Sequence, residues 1–529
     1  MNALQALRDD AEPAPQAPVK RLAALADRRV RLVLALAAGA LLACAFEPLG
    51  WWPFAILCPA ALIWLWQDAA PREAARLGFA FSAGTFAAGT YWLYISIHVF
   101  GQAPIWLAFI IMAALVVIMG VYHAALGYVI ARWLPRTGAL RWLVGIPAAW
   151  LLLEWFRGWF LSGFSWLSLG YSQTDTWLAG FAPIVGVYGI SALLLLGAGA
   201  LVTLLLGGAR DRTAAATVLI VPWLAGAALH RVEWTRASGS PVAVAILQGA
   251  IPQDMKWLDM NRDATLARYR ELNTRALGTP LIVWPESALP DLANNLVAYL
   301  RGVYTDARAS GSAVVLGVVR ASDDLRDYYN SVLALSDTVG WYDKRHLVPF
   351  AEFFPVPPFV RSWLRLMSLP YGDFTRGAPD QPPLRAAGLS LATTICYEDA
   401  YGSSQLPVLR EADVLVNVTN DAWFGRSTAR HQHFQIARMR AIEARRYMIR
   451  AANDGLSAVI GPRGEVLAQA PEYQPTVLRG SVTPRRGLPP YAHVGNWAII
   501  LAALAGAALA FMARRVGTRD TESRPKHDR

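Results

Sequence analysis

The chain has 529 residues, of which 55% are hydrophobic, and its formal net charge is +11. An ordinary soluble protein is about 45–50% apolar, so this composition excludes a typical soluble enzyme and indicates segments that span a membrane. A strongly basic chain often binds nucleic acid, but the Lys and Arg residues here form no single stripe. We therefore exclude a nucleic-acid partner.

The apolar residues are concentrated in runs that predict transmembrane helices, since roughly 20 apolar residues in a helix cross the hydrocarbon layer. Seven such runs precede a long mixed block, and an eighth follows it. The first two runs are short. The predicted spans are 32–46, 54–66, 77–100, 105–133, 142–156, 177–206, 214–229 and 494–512.

Positive residues mark alternate connections between these predicted spans. The N-terminal segment, the connections that contain Arg72, Arg132 and Arg210, and the C-terminal tail are basic, whereas the intervening stretches 47–52, 101–104 and 165–176 carry no Lys or Arg. Because positive residues stay in the cytoplasm, both termini are predicted to be cytoplasmic and the mixed block to lie outside. The first residues resemble a disordered tail and lack the apolar region of a cleavable signal peptide, so the first span is expected to be retained.

The mixed block has the pattern of an α/β domain. Short apolar strands alternate with longer segments, of which 261–277 and 432–446 have helical spacing. This alternation predicts an α/β fold, in which residues at strand ends gather at a sheet edge. The predicted strands are 242–248, 281–284, 313–319, 332–336, 389–396, 414–418, 448–452, 458–461 and 477–482.

Three of these strands lead into reactive side chains. Cys396 ends one strand, Glu286 directly follows another, and Lys344 comes after a third. A carboxylate can accept the proton of a thiol nucleophile, while a lysine lowers the thiol pKa and faces a developing oxyanion with the Tyr397 N–H. Each residue alone also has a structural interpretation, as a buried free cysteine or as a solvated surface charge. Their combination favours a nucleophilic site.

The motifs around these residues resemble two related families. Trp284-Pro285-Glu286-Ser287, Tyr342-x-Lys344-x-His346-Leu347-Val348-Pro349-Phe350 and Ile395-Cys396-Tyr397-Glu398 resemble the Glu-Lys-Cys triad segments of the nitrilase superfamily. Together with the eight predicted spans and the stretch 416–425, they make the chain similar to the bacterial apolipoprotein N-acyltransferase family. Ala250 and Ala351 depart from the Asn and Gly that are usual in that family.

The resemblance implies a fold, a location and a reaction. The fold would be a polytopic helical membrane domain plus a nitrilase-like α-β-β-α sandwich on the periplasmic side of the bacterial inner membrane. The implied organisation is a cytoplasmic tail at 1–30, seven spans in 31–230, the catalytic domain at 231–490, the eighth span at 493–513 and a second tail at 514–529. An acyl chain would pass from a phospholipid to a diacylated apolipoprotein through a thioester on Cys396. No cofactor or metal is implied.

The resemblance also suggests supporting roles for several residues. Glu352 would orient Lys344 or assist proton transfer, with an ordinary loop carboxylate as the lesser alternative. Tyr397 and Glu398 would support the site, and Trp257 and Trp423 would line an acyl or headgroup pocket, unless they are core or interface aromatics. The apolar segment 350–363 would form an arm over the site or pack in the core.

A few polar or reactive residues lie outside the triad motifs. Glu154 and Arg157 are three residues apart on one helical face and are predicted to form a structural pair or a headgroup contact rather than to act in catalysis. Cys44 and Cys58 are expected to pack, with a disulfide as the lesser alternative. His431 and His433 lack a third metal ligand at a familiar spacing and are interpreted as polar residues at a helix start.

Two other functions were weighed. A membrane-tethered amidase acting on small amides would use the same triad, but a single anchor would suffice for it. A transporter or scaffold would not need Cys396, and the predicted spans lack the paired interrupted helices of transporters. Acyl transfer is therefore the preferred interpretation.

Overall fold

The computed structural model describes residues 27–353 and 374–522. Its first and last parts are helical, and we refer to residues 28–230 and 490–522 as the helical region. The predicted tail at 1–20 and most of the predicted arm at 350–363 lie outside the described residues. The principal helices of the helical region are Arg28–Leu42, Phe54–Leu65, Pro71–Gly89, Ile105–Trp133, Ile146–Arg157, Ala182–Leu206, Ala209–His230, Pro490–Val494 and Trp497–Glu522.

Four helices within the described residues are long and apolar enough to cross a membrane: Ile105–Trp133, Trp177–Leu206, Ala209–His230 and Trp497–Arg515. They coincide with four of the eight predicted spans. The helix Phe54–Leu65 is apolar but short. These helices indicate a membrane protein, and the count of eight spans stays a prediction.

The predicted span 77–100 is divided in the structure. The helix Pro71–Gly89 ends at Thr90, whose hydroxyl donates to the carbonyl of Phe86 at 2.6 Å. A short turn Trp92–Tyr94 and a π-helical segment Ile95–Phe100 follow. The uniformly apolar sequence hid this break, because hydropathy does not report helix capping.

Small residues let two helices of the helical region approach closely. A Cβ at Gly84 would lie 2.1 Å from the carbonyl oxygen of Leu36, so the helices Arg28–Leu42 and Pro71–Gly89 meet backbone to backbone. Close approach through small residues is a common basis of helix packing in membranes. This contact fixes the first helices of the bundle.

Residues 236–353 and 374–486 form a sandwich of two six-stranded sheets, which we call the sandwich. One sheet has the order β13-β2-β3-β4-β5-β6, the other has the order β12-β11-β10-β9-β8-β7, and β1 pairs with β14. The strands are β1 Arg236–Ala237, β2 Val242–Gln248, β3 Leu281–Val283, β4 Ala313–Ala321, β5 Tyr328–Leu335, β6 Gly340–Asp343, β7 Leu384–Ala386, β8 Leu389–Ile395, β9 Val414–Thr419, β10 Met448–Ala452, β11 Ala458–Ile460, β12 Val466–Gln469, β13 Thr476–Val482 and β14 Arg485–Arg486.

Three apolar layers hold the sandwich together. Inward-facing residues such as Ile246, Val315, Val416 and Ile449 pack between the two sheets and are fully buried. The outer face of the first sheet packs against the helices Asp259–Ala276 and Val297–Ala309, and the outer face of the second packs against Ala429–Ala444. The order of layers is therefore helix, sheet, sheet, helix, as the resemblance implied.

All nine predicted strands are present, and both predicted helices lie within three residues of the observed ones. The sequence analysis missed the helix Val297–Ala309, the two-residue strands β1 and β14, and the three strands β6, β7 and β12. The three strands are short, with only three or four residues each. Too few residues repeat in them for an alternating pattern to be recognised.

The helix Ala429–Ala444 joins the sandwich to the helical region. Nearly all of its residues are buried, because one face packs on the second sheet while Ile436, Met439 and Ile442 belong to the apolar core of the helical region. The two parts of the chain share a continuous buried interface.

Candidate active site

Glu286 follows β3 and is almost fully buried. Its Oε1 accepts a hydrogen bond from the side-chain amide of Asn330 at 2.7 Å, and its Oε2 accepts one from the backbone N–H of Asn420 at 2.9 Å. The Nζ of Lys344 lies 3.5 Å from Oε1. A carboxylate held at both oxygens has a fixed orientation, which a general base needs.

Lys344 follows β6, and its side chain is 1% exposed. Its backbone N–H donates to the carbonyl of Asn330 at 2.8 Å, and its Nζ donates to Oε1 of Glu352 at the same distance. Burial alone would lower the pKa of Lys344, but the carboxylates of Glu352 and Glu286 raise it above its ordinary value. The amine is therefore a fixed positive charge between two carboxylates.

Cys396 directly follows β8 and begins a short 3-10 helix, Cys396–Ala400. Its φ angle of 52° lies in the left-handed region, which is rare for non-glycine residues and common where a backbone is held for function. The residue is only partly buried. This turn presents the thiol at the strand end, as the sequence predicted.

The surroundings of the thiol favour its protonated form at rest. Burial and then the charge of Glu286 raise the pKa of the Cys396 thiol well above its ordinary value, although Lys344 and a hydrogen bond with Thr419 oppose them. The sequence analysis expected a lysine to lower the thiol pKa. Lys344 does act in that direction, but burial and Glu286 have a larger effect. A thiol that keeps its proton needs a base at the moment of attack.

Glu352 and Asn330 brace the two charged residues. Oε1 of Glu352 accepts from Lys344 at 2.8 Å and from the Asn330 amide at 3.0 Å, while Oε2 accepts from the N–H of Val348 at 2.8 Å. The side chain of Asn330 thus bridges both carboxylates. These contacts favour Glu352 as the carboxylate that orients Lys344 over an ordinary loop residue.

Two family models match the chain. The first, described as Apolipoprotein N-acyltransferase N-terminal domain, matches residues 38–200, and the second, described as Carbon-nitrogen hydrolase, matches residues 243–486. The apolipoprotein N-acyltransferase of Azotobacter vinelandii is 41% identical over 473 residues, which cover 88% of this chain and 92% of the relative.

The chain belongs to the apolipoprotein N-acyltransferase family. The family proteins of Methylococcus capsulatus and Chromobacterium violaceum are each 39% identical, over 89% and 93% of this chain and over 93% and 94% of their own lengths. Among solved structures, a CN-hydrolase superfamily protein of Xanthomonas campestris covers 50% of this chain and 97% of its own, at 18% identity and a TM-score of 0.35. Membership of the family makes the chain an acyltransferase with a carbon-nitrogen hydrolase domain.

Glu398 ties together two loops of the site of this apolipoprotein N-acyltransferase family member. Its buried carboxylate accepts from the backbone N–H groups of Ile395, Arg345 and His346 at 2.9, 2.7 and 3.0 Å and from the Tyr342 hydroxyl at 2.9 Å. Burial raises the pKa of Glu398, which these hydrogen bonds only partly offset. Glu398 therefore connects the lysine loop to the cysteine turn.

Tyr397 and His346 connect the site to the helical region. The Tyr397 hydroxyl donates to the carbonyl of Gly163 at 3.1 Å, and Nε2 of His346 lies 2.9 Å from the carbonyl of Ser162. Both acceptors belong to the loop between the helices Ile146–Arg157 and Ala182–Leu206. The cysteine turn thus rests directly on residues of the helical region.

The two predicted pocket tryptophans lie on different loops. Trp257 precedes the helix Asp259–Ala276, and 49% of its surface is exposed. Trp423 lies in a turn after β9, and its carbonyl accepts from the Ser96 hydroxyl at 2.8 Å. Their role in lining a pocket stays a prediction.

Lys256, next to Trp257, was missed. It is fully buried, and its Nζ lies 3.5 Å from the backbone carbonyl of Glu286. Burial lowers the pKa of Lys256 to about 8, although Glu286 and Asp454 act in the opposite sense. The surrounding polar sequence gave no signal of burial, since this environment arises from distant segments.

Glu154 and Arg157 hold different groups rather than forming a simple pair. Glu154 accepts from the Ser191 hydroxyl and from the N–H of Leu169, and Arg157 donates to the carbonyls of Phe164 and Trp166, each at 2.7 Å. The predicted structural role is consistent with these contacts. They fix the loop on which Tyr397 rests.

The remaining cysteines and histidines have structural environments. Cys44, Cys58 and Cys396 are all free, so the lesser alternative of a disulfide is wrong. His431 and His433 lie at the start of the helix Ala429–Ala444, as predicted. His433, however, is buried among charged side chains and close to the Cys396 carbonyl, which its position in the sequence did not indicate.

Proposed function

We propose that the chain transfers a fatty acyl group from a phospholipid to the N-terminal amine of an S-diacylglyceryl-cysteine apolipoprotein through a thioester on Cys396. The observation that carries this proposal is the Glu286–Lys344 contact of 3.5 Å beside a thiol whose pKa both residues influence. Relatives named apolipoprotein N-acyltransferase over about nine-tenths of the chain support it. They do not favour the amidase alternative.

In the first half-reaction, Glu286 takes the proton of Cys396 as the sulfur attacks the ester carbonyl of the phospholipid. The carbonyl oxygen becomes an oxyanion, which faces the Lys344 ammonium and the N–H of Tyr397. Preorganised donors of this kind stabilise tetrahedral intermediates. The intermediate collapses when the C–O bond breaks and Glu286 returns the proton to the leaving alkoxide, so that a lysophospholipid departs and a thioester remains.

In the second half-reaction, the neutral α-amine of the apolipoprotein attacks the thioester carbonyl. Glu286 accepts a proton from the attacking nitrogen, and the same oxyanion donors act again. The C–S bond breaks, the thiolate takes the proton back from Glu286, and an N-acyl amide is released. Each proton that Glu286 accepts is returned, so that the Cys396 thiol and the Glu286 carboxylate are both restored at the end of the cycle.

The supporting residues would act by holding these groups. Glu352 and Asn330 fix Lys344 and Glu286, because each carboxylate accepts from the same Asn330 amide. Glu398 keeps the lysine loop against the cysteine turn. We propose that these residues set geometry and that the proton moves only between Glu286, Cys396 and the substrates.

We infer that the chain crosses the bacterial inner membrane eight times, with both termini cytoplasmic and the sandwich in the periplasm. The inferred domains are 1–30, 31–230, 231–490, 493–513 and 514–529. The alternating positive charge and the four long apolar helices support this topology. A phospholipid cannot easily leave its leaflet, since each buried CH₂ contributes about 0.8 kcal/mol, so the spans would bring Cys396 to the lipid.

We propose that Trp257 and Trp423 line the lipid side of the site. Trp257 is half-exposed beside Lys256, whose amine contacts the Glu286 backbone. Trp423 is joined to Ser96 of the helical region.

The decisive experiment follows the acyl group. The full chain in detergent is incubated with a phospholipid that carries a labelled sn-1 chain, and peptides containing Cys396 are analysed by mass spectrometry. We expect a labelled thioester on Cys396 that disappears when a diacylated lipopeptide is added. Cys396→Ser should carry no thioester, and the matched control Cys58→Ser should behave as the wild type.

Two results would overturn the proposal. One is transfer to the lipopeptide by Cys396→Ser at the wild-type rate. The other is release of ammonia from small amides without acylation of Cys396 by phospholipid, which would favour the amidase.

A further inference from the structure

A buried group of four charged side chains lies directly behind the cysteine turn. His433 contacts Asp421 through Nδ1 at 2.7 Å and Asp399 through Nε2 at 3.0 Å. Arg450 donates to Oδ2 of Asp421 at 2.8 Å and lies 3.3 Å from Oδ2 of Asp399. Every one of these side chains is at most 1% exposed.

The groups that contact its two ring nitrogens determine the charge of His433. Both ring nitrogens face carboxylate oxygens, and ionised carboxylates only accept hydrogen bonds. Nη2 of Arg450 also lies 3.0 Å from Nδ1 and opposes a proton there, because a guanidinium can only donate. The two aspartates outweigh this opposition and raise the pKa of His433, so that the ring is an imidazolium. Asp421 lies between the two cations, since it accepts from Arg450 with one oxygen and from His433 with the other. Two positive and two negative side chains then balance, as a buried cluster requires.

This cluster reaches Cys396 through its backbone carbonyl. Nε2 of His433 lies 3.2 Å from the Cys396 oxygen, and the Asn417 amide donates to the same oxygen at 3.2 Å. Asn417 in turn accepts from Arg450 at 2.7 Å. The single N–H on Nε2 is shared between this oxygen and Oδ1 of Asp399, which lies 3.0 Å away. Together with the Asn417 amide it holds the carbonyl of a residue whose φ of 52° is intrinsically unfavourable.

The Trp166 side chain of the helical region covers the contact between His433 and the cysteine turn. The Trp166 ring lies 5.6 Å from the His433 ring and 6.1 Å from the Tyr397 ring. Its indole N–H donates to Gln432, the residue before His433, at 2.7 Å. Water is therefore kept away from the imidazolium, which strengthens its interaction with the carboxylates.

We propose that His433 is a positioning residue for the acyl-transfer reaction, which holds the backbone of Cys396 in its left-handed conformation through the carbonyl and so aims the thiol at Glu286 and Lys344. The proposal rests on the proposed function of Cys396. His433 itself touches neither the thiol nor the substrate carbonyl in this scheme. Its charge serves to make the bond to the Cys396 oxygen strong, because charge-assisted hydrogen bonds are roughly twice as strong as neutral ones.

The arrangement predicts a dependence on pH. Burial and the positive charge of Arg450 act to lower the pKa of His433. The negative charges of Asp399 and Asp421 have a larger effect and raise this pKa to about 9. The charged groups facing the ring are these two aspartates and Arg450, with Arg430 acting more remotely on Asp421. Because the ring is charged below this pKa, positioning should be complete at neutral pH and should weaken as the pH rises through about 9.

Two substitutions separate positioning from general stability. In His433→Gln the side-chain amide nitrogen occupies nearly the place of Nε2 and can still donate to the Cys396 carbonyl, without a titrating charge. In His433→Asn the shorter amide reaches only the place of Nδ1 and loses that bond. His431→Gln, two residues away on a partly exposed position of the same helix, is the matched control.

The measured quantity is the single-turnover rate of thioester formation on Cys396 by the full chain in nanodiscs with labelled phospholipid, between pH 6 and pH 10. We expect His433→Asn to be at least 100-fold slower than the wild type, with the KM for phospholipid changed less than threefold. We expect His433→Gln to retain activity within about tenfold and to lose the fall in rate near pH 9 that the wild type shows. His431→Gln should match the wild type throughout.

A second measurement does not depend on acyl transfer. The rate at which iodoacetamide alkylates Cys396, measured on its own peptide, should fall several-fold in His433→Asn and less in His433→Gln. Wild-type chain that forms no thioester, with this alkylation pattern intact, would contradict the proposed function and leave the positioning role supported. Equal rates for His433→Asn, His433→Gln and the wild type in alkylation would overturn the positioning role. So would equal losses in both variants accompanied by equal drops in melting temperature, since that result indicates stability alone.

Discussion

The hydroxyl of Tyr397 donates a hydrogen bond of 3.1 Å to the backbone carbonyl of Gly163, which joins the residue after the candidate nucleophile to the helical region. The Gly163 carbonyl also accepts from the Tyr401 hydroxyl at 3.2 Å, and Arg157 fixes the loop one residue further on through the Phe164 carbonyl. The cysteine turn is therefore hydrogen-bonded to a loop of the helical region, and Arg157 at the end of an apolar helix holds that loop in place.

Replacing Tyr397 by Phe tests how much this link contributes. The variant loses one hydrogen bond, worth roughly 0.5–1.5 kcal/mol, while Tyr401 still satisfies the Gly163 carbonyl. The backbone N–H proposed to face the oxyanion is unchanged. We expect thioester formation to slow by up to about tenfold, since 1.4 kcal/mol corresponds to a factor of ten, and the melting temperature to change little. A complete loss of activity would show that the hydroxyl itself takes part in the reaction.

Lys344→Met should remove both activity and stability. The substitution leaves Glu286 and Glu352 buried without the amine that lies 3.5 and 2.8 Å from them. Breaking a buried ion pair by removing one partner costs about 3–5 kcal/mol. We expect no detectable thioester and a clearly lower melting temperature. Lys344→Arg keeps the charge and should recover much of the stability but little of the activity, because the planar guanidinium places its donors differently. Equal activity of Lys344→Arg and the wild type would argue against a contact between Lys344 and the oxyanion.

Gly317→Ala should displace Glu286 without touching any charged group. Gly317 lies on β4, and a Cβ there would come within 2.5 Å of the Pro285 carbonyl and 2.6 Å of the Glu286 Cα. The strand end that carries the base must therefore shift, and a misplacement of about 1 Å can cost on the order of 100-fold in rate. We expect the single-turnover rate to fall by one to two orders of magnitude.

Gly302→Ala is the matched control for that substitution. Gly302 lies in the helix Val297–Ala309 and has only the tip of the Arg270 side chain nearby, at 3.6 Å. Alanine is favoured over glycine in a helix by about 0.5–1 kcal/mol, so this variant should be slightly more stable and fully active. Similar activity losses in both glycine variants would show that displacement of Glu286 is not the cause.

Asp454→Asn should stabilise the protein in a pH-dependent way. Burial raises the pKa of Asp454 from 3.8 to about 6, and its Oδ1 has no hydrogen-bond partner among the described residues. Because the folded-state pKa lies above the unfolded value, the wild type loses stability as the pH rises from about 4 to about 6. At about 1.4 kcal/mol per pKa unit, the loss at neutral pH is on the order of 2–3 kcal/mol.

Thermal melts across the pH range check this expectation. The melting temperature of Asp454→Asn should exceed that of the wild type at pH 7, and the difference should vanish near pH 4, where both side chains are neutral. A difference that persists unchanged at pH 4 would assign the gain to packing rather than to charge. Asp324→Asn, at a residue on the exposed turn before β5 with its side chain 57% exposed, should shift the melt at pH 7 far less.

The α/β pattern and two of the reactive strand ends were predictable, because Glu286 and Cys396 each follow or end an apolar run of recognisable length. Lys344 follows the short strand β6, which was not recognised, and it was placed only after the preceding strand. The supporting groups were not. Asn330 precedes the predicted start of its strand, and Lys256 lies in a polar stretch, so nothing local indicates that both are buried beside Glu286. Burial of a polar side chain depends on which distant segments fold over it, and one sequence does not record that.

His433 shows the same limit from another direction. Its spacing from His431 suggested a metal ligand, which was set aside for want of a third ligand. Its actual partners, Asp399, Asp421 and Arg450, come from two turns and a strand that meet only in the folded sandwich. The sequence indicated a helix at 432–446 but not which charges would surround His433.

The helix Ala182–Leu206 is interrupted at Gly186, and a side chain of the sandwich accepts a hydrogen bond from the backbone N–H at the interruption. Gly186 has a φ of 63°, which leaves the N–H of Val187 outside the helical ladder, and the Glu443 carboxylate accepts from it at 2.7 Å. A side chain at Gly186 would also collide with the Tyr491 ring. Chimaeras that exchange catalytic domains between relatives must therefore carry Gly186, Glu443 and Tyr491 from one parent, and a sandwich expressed alone would leave Glu443 with its partner Arg440 but without the Val187 N–H.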